Sequence, residues 1–305
     1  MKYPPPQTLA DWIRWAERHL QRARLHFGHG TETALDEAAW LVGHVAGHAP
    51  DDLEAHLADI PTATELEKIR ALVEARVATR KPLAYLLNEA WFAGLKFYVD
   101  ARVLVPRSIT GEYIRERFVP WLQPGNAQRA LDLCTGSGCI AIALAHVFPQ
   151  ARVDATDISD DALAVARINV ESHGLRERVR LVKSDLFTAL AGSRYDLIVT
   201  NPPYVSRDDM AALPEEYRHE PALALAAGEY GLDVIVKILA RAADYLTPAG
   251  VLVAEVGNSH TTLAAAFPQV PFLWLTSETG DESVFLLTAA QLVQHRGRFA
   301  VAVPV

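Results

Sequence analysis

Apolar residues recur at Leu9, Ile13, Ala16 and Leu20 in "TLADWIRWAERHLQRARLHF" and at Leu66, Ile69, Val73 and Val77 in "TATELEKIRALVEARVATR". Steps of three or four residues put each set on one face of a helix. Thr64 followed by Glu67 predicts a capping box opening the second helix. Residues 1–81 are therefore expected to form a small helical domain. Beyond Pro82 the pattern changes, because "LAYLLNEAWFAGLKFYVDARVLVPRS" is aromatic and β-branched around Gly94. That composition predicts a hairpin and connecting strand over 82–108.

From about residue 129 strand-like runs alternate with helical ones: "RALDLCT", "RVDATD", "VRLVKSD", "YDLIVTN" and "GVLVAEVG". In the intervening "SDDALAVARINVESHG", Leu163, Ala166 and Val170 share a face, Ser159 is placed to cap and Gly174 to stop the helix. Such alternation predicts an α/β domain over 109–290, a mostly parallel sheet with helices on both faces. "FLWLTS" and "SVFLLTA" are joined by a turn too short for a helix, which predicts an antiparallel pair at the sheet's edge. Residues 291–305 read as a C-terminal tail with no assignable partner.

Composition narrows the class. The 305 residues are 50% hydrophobic and 22% charged, enough for a full core, and no apolar run approaches a spanning helix. With Cys134 and Cys139 as the only cysteines, both in one glycine-containing turn, neither a disulfide framework nor a thiolate metal site can be built, and a cytoplasmic location is expected. The formal net charge of -8 lowers the expectation of a nucleic-acid partner. In residues 1–80, nine Lys or Arg stand against twelve Asp or Glu, which suits a protein partner better than RNA. The histidines of "HFGHG" and "GHAPDDLEAH" are read as surface residues with no metal, since no acidic or thiol partner sits at ligand spacing.

The candidate chemistry sits at strand ends. In "ALDLCTGSGCIAIALA", 130–145, Gly136 and Gly138 let backbone pass close to a ligand, and the following helix offers unpaired N–H groups. The spacing lacks the third glycine of the dinucleotide fingerprint. Asp157 closes the second strand, where a carboxylate can accept both hydroxyls of a ribose. Asp185 closes the third, with Leu186 and Phe187 as cover for a flat ring. Singly, each acid is also a plausible helix cap. Acids at three successive strand ends, without a lysine to hold a triphosphate, describe a nucleoside lacking a phosphate chain. S-adenosylmethionine is such a ligand, its cation met by Asp132 or by backbone carbonyls.

"NPPY", 201–204, closes the fourth strand on the same edge of the sheet. Pro-Pro would serve as a plain strand stop, yet the flanking Asn201 and Tyr204 suit a further task. A planar NH2 is almost inert, because its lone pair is held in the π system by about 18–20 kcal/mol of rotational barrier. Acceptors from the Asn201 side chain and the Pro202 carbonyl would hold both N–H bonds and turn the lone pair toward a methyl group. Pro203 stiffens the loop and Tyr204 offers a stacking face. In-line transfer needs alignment, worth at best about 7–11 kcal/mol, and no general base.

These motifs, in order, resemble the S-adenosylmethionine-dependent methyltransferases with a Rossmann-like seven-stranded sheet. With "VLVPRS" and "EYRHEPALALAAGEYGLD" they resemble the N(5)-glutamine methyltransferases, which modify a glutamine of a translation protein and use an N-terminal helical domain for docking. "PRSITGE" departs from the release-factor pattern Pro-Arg-Pro-Asp-Thr-Glu, and "GHGTETALDEAAWLV" and "LPEEYRHEPALALAAGEYGLD" resemble the branch acting on large-subunit ribosomal protein L-three. The resemblance implies that Asp132, Thr135, Gly136, Ser137, Gly138, Asp157, Ile158, Asp185, Leu186 and Asn201 line the cofactor site. It implies that Asn201, Pro202, Pro203 and Tyr204 take the glutamine. Arg107 and Glu112 either border that pocket or brace the hairpin as an ion pair; Arg218 and Glu220 carry the same ambiguity. The expected product is S-adenosylhomocysteine, and the substrate is L-three, free or in an assembly intermediate, with no membrane partner. Alternatives are release-factor methylation at Gly-Gly-Gln, methylation of an exocyclic amine in nucleic acid, and a non-catalytic binder of the same cofactor.

Overall fold

The computed structural model describes residues 7–123, 125 and 127–299. Helices α1 (Leu9–Arg22), α2 (Ala34–Ala46) and α3 (Ala63–Thr79) pack on one another, and each begins with a threonine capping box. The predicted stripe of α1 is buried throughout. On α3 the box is Thr62 with Glu65, not Thr64 with Glu67: "TATELE" repeats the spacing, and the extended Thr62 follows Pro61. Its stripe differs too. Ile69 and Val73 are buried, but Val77 is 36% exposed and the buried neighbour is Arg76. The Arg76 guanidinium donates to Glu37 at 2.7 Å and to the carbonyls of Arg80 and His26, so a satisfied cation takes the core position.

Leu83–Leu87, expected as extended chain, forms a short helix, α4, started by Pro82 and ended by Asn88 in the left-handed region. The hairpin follows as expected around Gly94: β1 (Ala90–Phe92) pairs with β2 (Leu95–Phe97) across Ala93 and Gly94, both at positive φ. After α5 (Thr110–Arg115) come β3 (Arg129–Leu133), α6 (Cys139–Val147), β4 (Arg152–Asp157), α7 (Asp160–Ser172), β5 (Val179–Lys183) and β6 (Tyr195–Thr200). Then follow α8 (Arg207–Ala212), α9 (Asp233–Ala242), β7 (Leu246–Glu255), α10 (His260–Ala266), β8 (Leu273–Leu275), β9 (Val284–Thr288) and α11 (Ala289–Phe299).

The sheet order is β5-β4-β3-β6-β7-β9-β8. Strands β3 to β7 are parallel, while β9 runs antiparallel to both β7 and β8, which makes the seven-stranded, mostly parallel α/β fold with its antiparallel edge pair. Ser159 caps α7 and Gly174 stands just past its end at φ +67. The chain leaves β3 toward β5 on one side and returns through β6 on the other, so the topological switch point lies between β3 and β6.

The segment expected as an unpartnered tail is α11 through Phe299, and only 300–305 fall outside the described residues. Leu292 is fully buried on the face that carries Leu239 and Leu252, and Phe299 meets Phe267 edge-on at 5.3 Å. Its signal is a box in which Thr288 Oγ1 accepts from Gln291 N–H while Gln291 Oε1 accepts from Thr288 N–H. Leu292→Ala is expected to cost about 2–5 kcal/mol in urea denaturation; a loss under about 0.5 kcal/mol would show that α11 is not part of the core.

Candidate active site

β3 runs into the glycine turn with Cys134 at φ +60, Gly136 at φ +53 and Gly138 at φ +82. The two glycines have different tasks. A side chain on Gly136 would meet open space, leaving room over the turn for a ligand, whereas one on Gly138 would lie 3.2 Å from Ala166 Cβ of α7. Asp132 lies beneath the turn, fully buried, and does not reach the cavity described below. Its Oδ2 accepts from Thr135 Oγ1 at 2.5 Å and Ala141 N–H at 3.0 Å, while Oδ1 is buried without a partner. Burial pushes its pKa up to about 7. Asp132 thus braces the turn through Oδ2, and its Oδ1 remains without a protein partner among the described residues. Thr135, Ser137 and Gly138 likewise belong to the turn's framework, with the Ser137 carbonyl accepting from Asn169 at 2.8 Å.

A cavity of about 340 Å³ opens at the carboxyl ends of β3, β4, β5 and β6. It collects Gly136, Asp157, Ile158, Asp185, Leu186, Asn201 and Pro203 from the expected set. Asp157 is held by N–H groups of Gly136 and Ser159, both at 2.9 Å, and burial raises its pKa. Asp185 stands exposed on the wall, next to Leu186 at φ +48. Sequence reasoning missed Arg102, Val103 and Leu104 from the linker and Pro221, Leu223, Ala224 and Lys237 from beyond the loop, all lining the same cavity. Arg102 is committed to Asp100 at 2.6 Å, and Lys237 is a second cation on the cavity wall. Both cysteine thiols are raised by burial and stay protonated. A second cavity of about 320 Å³, between Trp40, Leu53, Trp91 and Val105, holds none of the strand-end acceptors.

The loop after β6 is fixed from outside. Val205 N–H donates to Leu225 O at 2.8 Å and Ala227 N–H to Val205 O at 2.9 Å. Ser259 Oγ donates to Tyr204 O at 2.8 Å. A Cβ on Gly257 would fall 2.3 Å from the Tyr204 ring, and one on Gly231 would fall 2.2 Å from Tyr204 O. The Asn201 side chain, open to the cavity, has no protein partner among the described residues. Nearby, Glu255 is buried and accepts from Ser108 and from Thr110 Oγ1, and burial raises its pKa.

Arg107 and Glu112 do not meet. Arg107 grips Glu220 with two nitrogens, at 2.6 and 2.8 Å, while Glu112 accepts from Glu278 N–H in the β8–β9 turn at 3.0 Å. Neither lines the cavity, and Glu220 takes Arg107 rather than Arg218 as its partner. The metal reading needs one amendment: Asp59 does lie near the histidines, within 4.8 Å of ligand atoms of His48 and His56. Those rings stack at 3.9 Å, and Asp59 pairs with His56 at 2.8 Å.

Parallel strands in this order, an antiparallel edge pair and a carboxylate-lined cavity at the switch point define a Rossmann-like methyltransferase. Family models for the methyltransferase small domain and the PrmC N-terminal domain match residues 116–216 and 11–87. The ribosomal protein uL3 glutamine methyltransferases of Neisseria meningitidis serogroup B and Bordetella pertussis are each 48% identical over 287 residues, covering 94% of this chain and 94% and 96% of theirs. The chain belongs to the ribosomal protein uL3 glutamine methyltransferase family. Among solved structures, the hMettl16 catalytic domain in complex with an RNA hairpin aligns over 81% of this chain and 91% of its own, with a TM-score of 0.50 and 17% identity, a likeness of fold alone.

Gly257→Ala is expected to displace the Tyr204 ring and lower methyl transfer at least about tenfold, with cofactor affinity nearly unchanged. Rate assays beside calorimetry check this, and a wild-type rate would refute the packing role.

Proposed function

We propose that this chain transfers a methyl group from S-adenosylmethionine to the side-chain amide nitrogen of a glutamine in ribosomal protein uL3, releasing S-adenosylhomocysteine. The observation that carries the reading is that Asn201, with no protein partner, opens onto the same cavity as Asp157 and Asp185. The cavity's donor set fits the cofactor: Gly136 leaves an open cradle, Asp157 stands where a ribose diol binds, and Asp185 with Leu186 offers an acceptor beside apolar cover. Lys237 is available to a carboxylate. When bound, the cofactor supplies an electrophilic methyl group on a sulfonium.

The chain's own residues align the acceptor. Asn201 Oδ1 and the Pro202 carbonyl accept from the two N–H bonds of the glutamine amide, which holds the nitrogen and turns its lone pair out of conjugation. Pro202 and Pro203 bring no competing donors. Tyr204 covers the flat amide, its ring fixed against Gly257. The methylated amide is a strong acid while cationic and sheds its proton to water, so no side chain is needed as base. The helical domain of α1 to α3 docks the protein substrate, and the enzyme acts in the cytoplasm, where a ribosomal protein is met. Among the described residues no helix is long and apolar enough to cross a membrane.

Asn201→Ala is expected to lower the rate at least about a hundredfold with cofactor affinity within a few-fold; an equally active variant would remove Asn201 from the mechanism. Asp157→Ala should do the opposite and weaken cofactor binding about tenfold or more, read by calorimetry. The function itself is tested by incubating the purified protein with labelled cofactor and a lysate of cells lacking the enzyme. Label is expected on a glutamine of uL3; label on a release factor or on RNA instead would overturn the assignment.

A further inference from the structure

Residues 214–226 run from the helical domain to the cavity. At the near end Glu216 accepts from Arg80 at 2.6 Å and from His26 N–H at 2.9 Å, both groups belonging to the helical part. At the far end Pro221, Leu223 and Ala224 form cavity wall, and Leu225 with Ala227 holds the catalytic loop through Val205. Glu220 lies between. Its side chain is fully buried and receives the Arg107 fork at 2.6 and 2.8 Å and Val105 N–H at 3.0 Å, with the Nε2 of buried His29 lying 3.5 Å away. Tyr217 packs between, its ring 4.4 Å from that of His29 and 5.3 Å below the Arg107 guanidinium.

One carboxylate therefore ties the linker to the segment that carries the loop, and it packs against His29 of the helical domain. The linker continues into Arg102, Val103 and Leu104, a strip of the cavity wall, and Glu220 leads directly into Pro221, another strip. A two-pronged guanidinium–carboxylate contact sets both distance and orientation, which a single charge does not. Stability alone is a poor reason for such a pair, since apolar residues of similar volume often replace a buried ion pair at no cost.

We propose that Glu220, gripped by Arg107, is a positioning residue for methyl transfer: it fixes the spacing between the linker and the 221–226 strip, and through that strip the placement of the Asn201–Tyr204 loop. This rests on the function proposed above. The pair's removal should therefore harm alignment more than folding.

The test is the double variant Arg107→Met with Glu220→Gln, which removes both charges, keeps the volume and leaves an oxygen to accept from Val105 N–H. Its thermal midpoint is expected to stay within a few degrees of wild type. At saturating cofactor and uL3 its turnover should fall about thirtyfold, and amide exchange at Val205 and Ala227 should quicken about tenfold with β3 and β6 unchanged. Wild-type turnover and wild-type exchange in a folded variant would overturn the proposal. Should the double variant fail to fold, Arg107→Lys keeps the charge without the fork and is read by the same two measurements against the same outcomes. A wild-type enzyme that leaves uL3 unlabelled would refute the function, while the exchange measurement would still decide the positioning role.

Discussion

β6 ends in a sequence that cannot hold itself in place. Pro202 and Pro203 contribute no N–H, so the loop has neither a ladder to continue nor a turn to close. Its position has to be imposed by neighbours, and the surrounding structure is arranged accordingly. Backbone bonds from Val205 reach the 225–227 strip, Ser259 takes the Tyr204 carbonyl, and Gly231 and Gly257 let the backbone and ring settle closer than any side chain would permit. The Asn201 side chain in turn has no protein partner among the described residues.

The outlying parts of the chain are drawn in by buried acids. Glu37 takes Arg76, Glu216 takes Arg80, Glu220 takes Arg107, and Glu255 takes two hydroxyls from the linker side. Glu220 has its pKa held down to about 2 despite burial, which pushes it up, because His29 and Arg107 outweigh that cost. Glu255 has no cation, and burial, aided by the charge of Asp281, raises its pKa despite its hydroxyl partners. Paired acids thus orient the helical domain and linker, whereas the uncompensated ones, Asp132 and Glu255, lie under the strand ends, where desolvation is greatest.

The sheet was legible because buried parallel strands announce themselves as β-branched runs separated by helical periods, and each of the seven predicted strands is found. Three elements were not legible. Arg76 broke the apolar stripe of α3, since a cation satisfied by Glu37 can stand where periodicity asks for a hydrophobe. Leu83–Leu87 looked extended by composition but was decided by Pro82 and Asn88 at its ends. α11 has too few apolar residues to show a period and is recognisable by its capping box. In the site, the strand-end residues that reach the cavity could be found from local sequence, because each sits where a strand stops. Lys237, Pro221 and Leu223 could not, since only tertiary folding brings them to the same wall.

Cys134 and Leu186 both hold left-handed backbone, a conformation side chains resist, and both line the cavity floor. Glycine at either place would relieve the strain and loosen the floor at once. Selection for thermal robustness and selection for turnover therefore pull in opposite directions at these two positions, and laboratory evolution toward heat tolerance should leave them alone or trade catalysis for durability there.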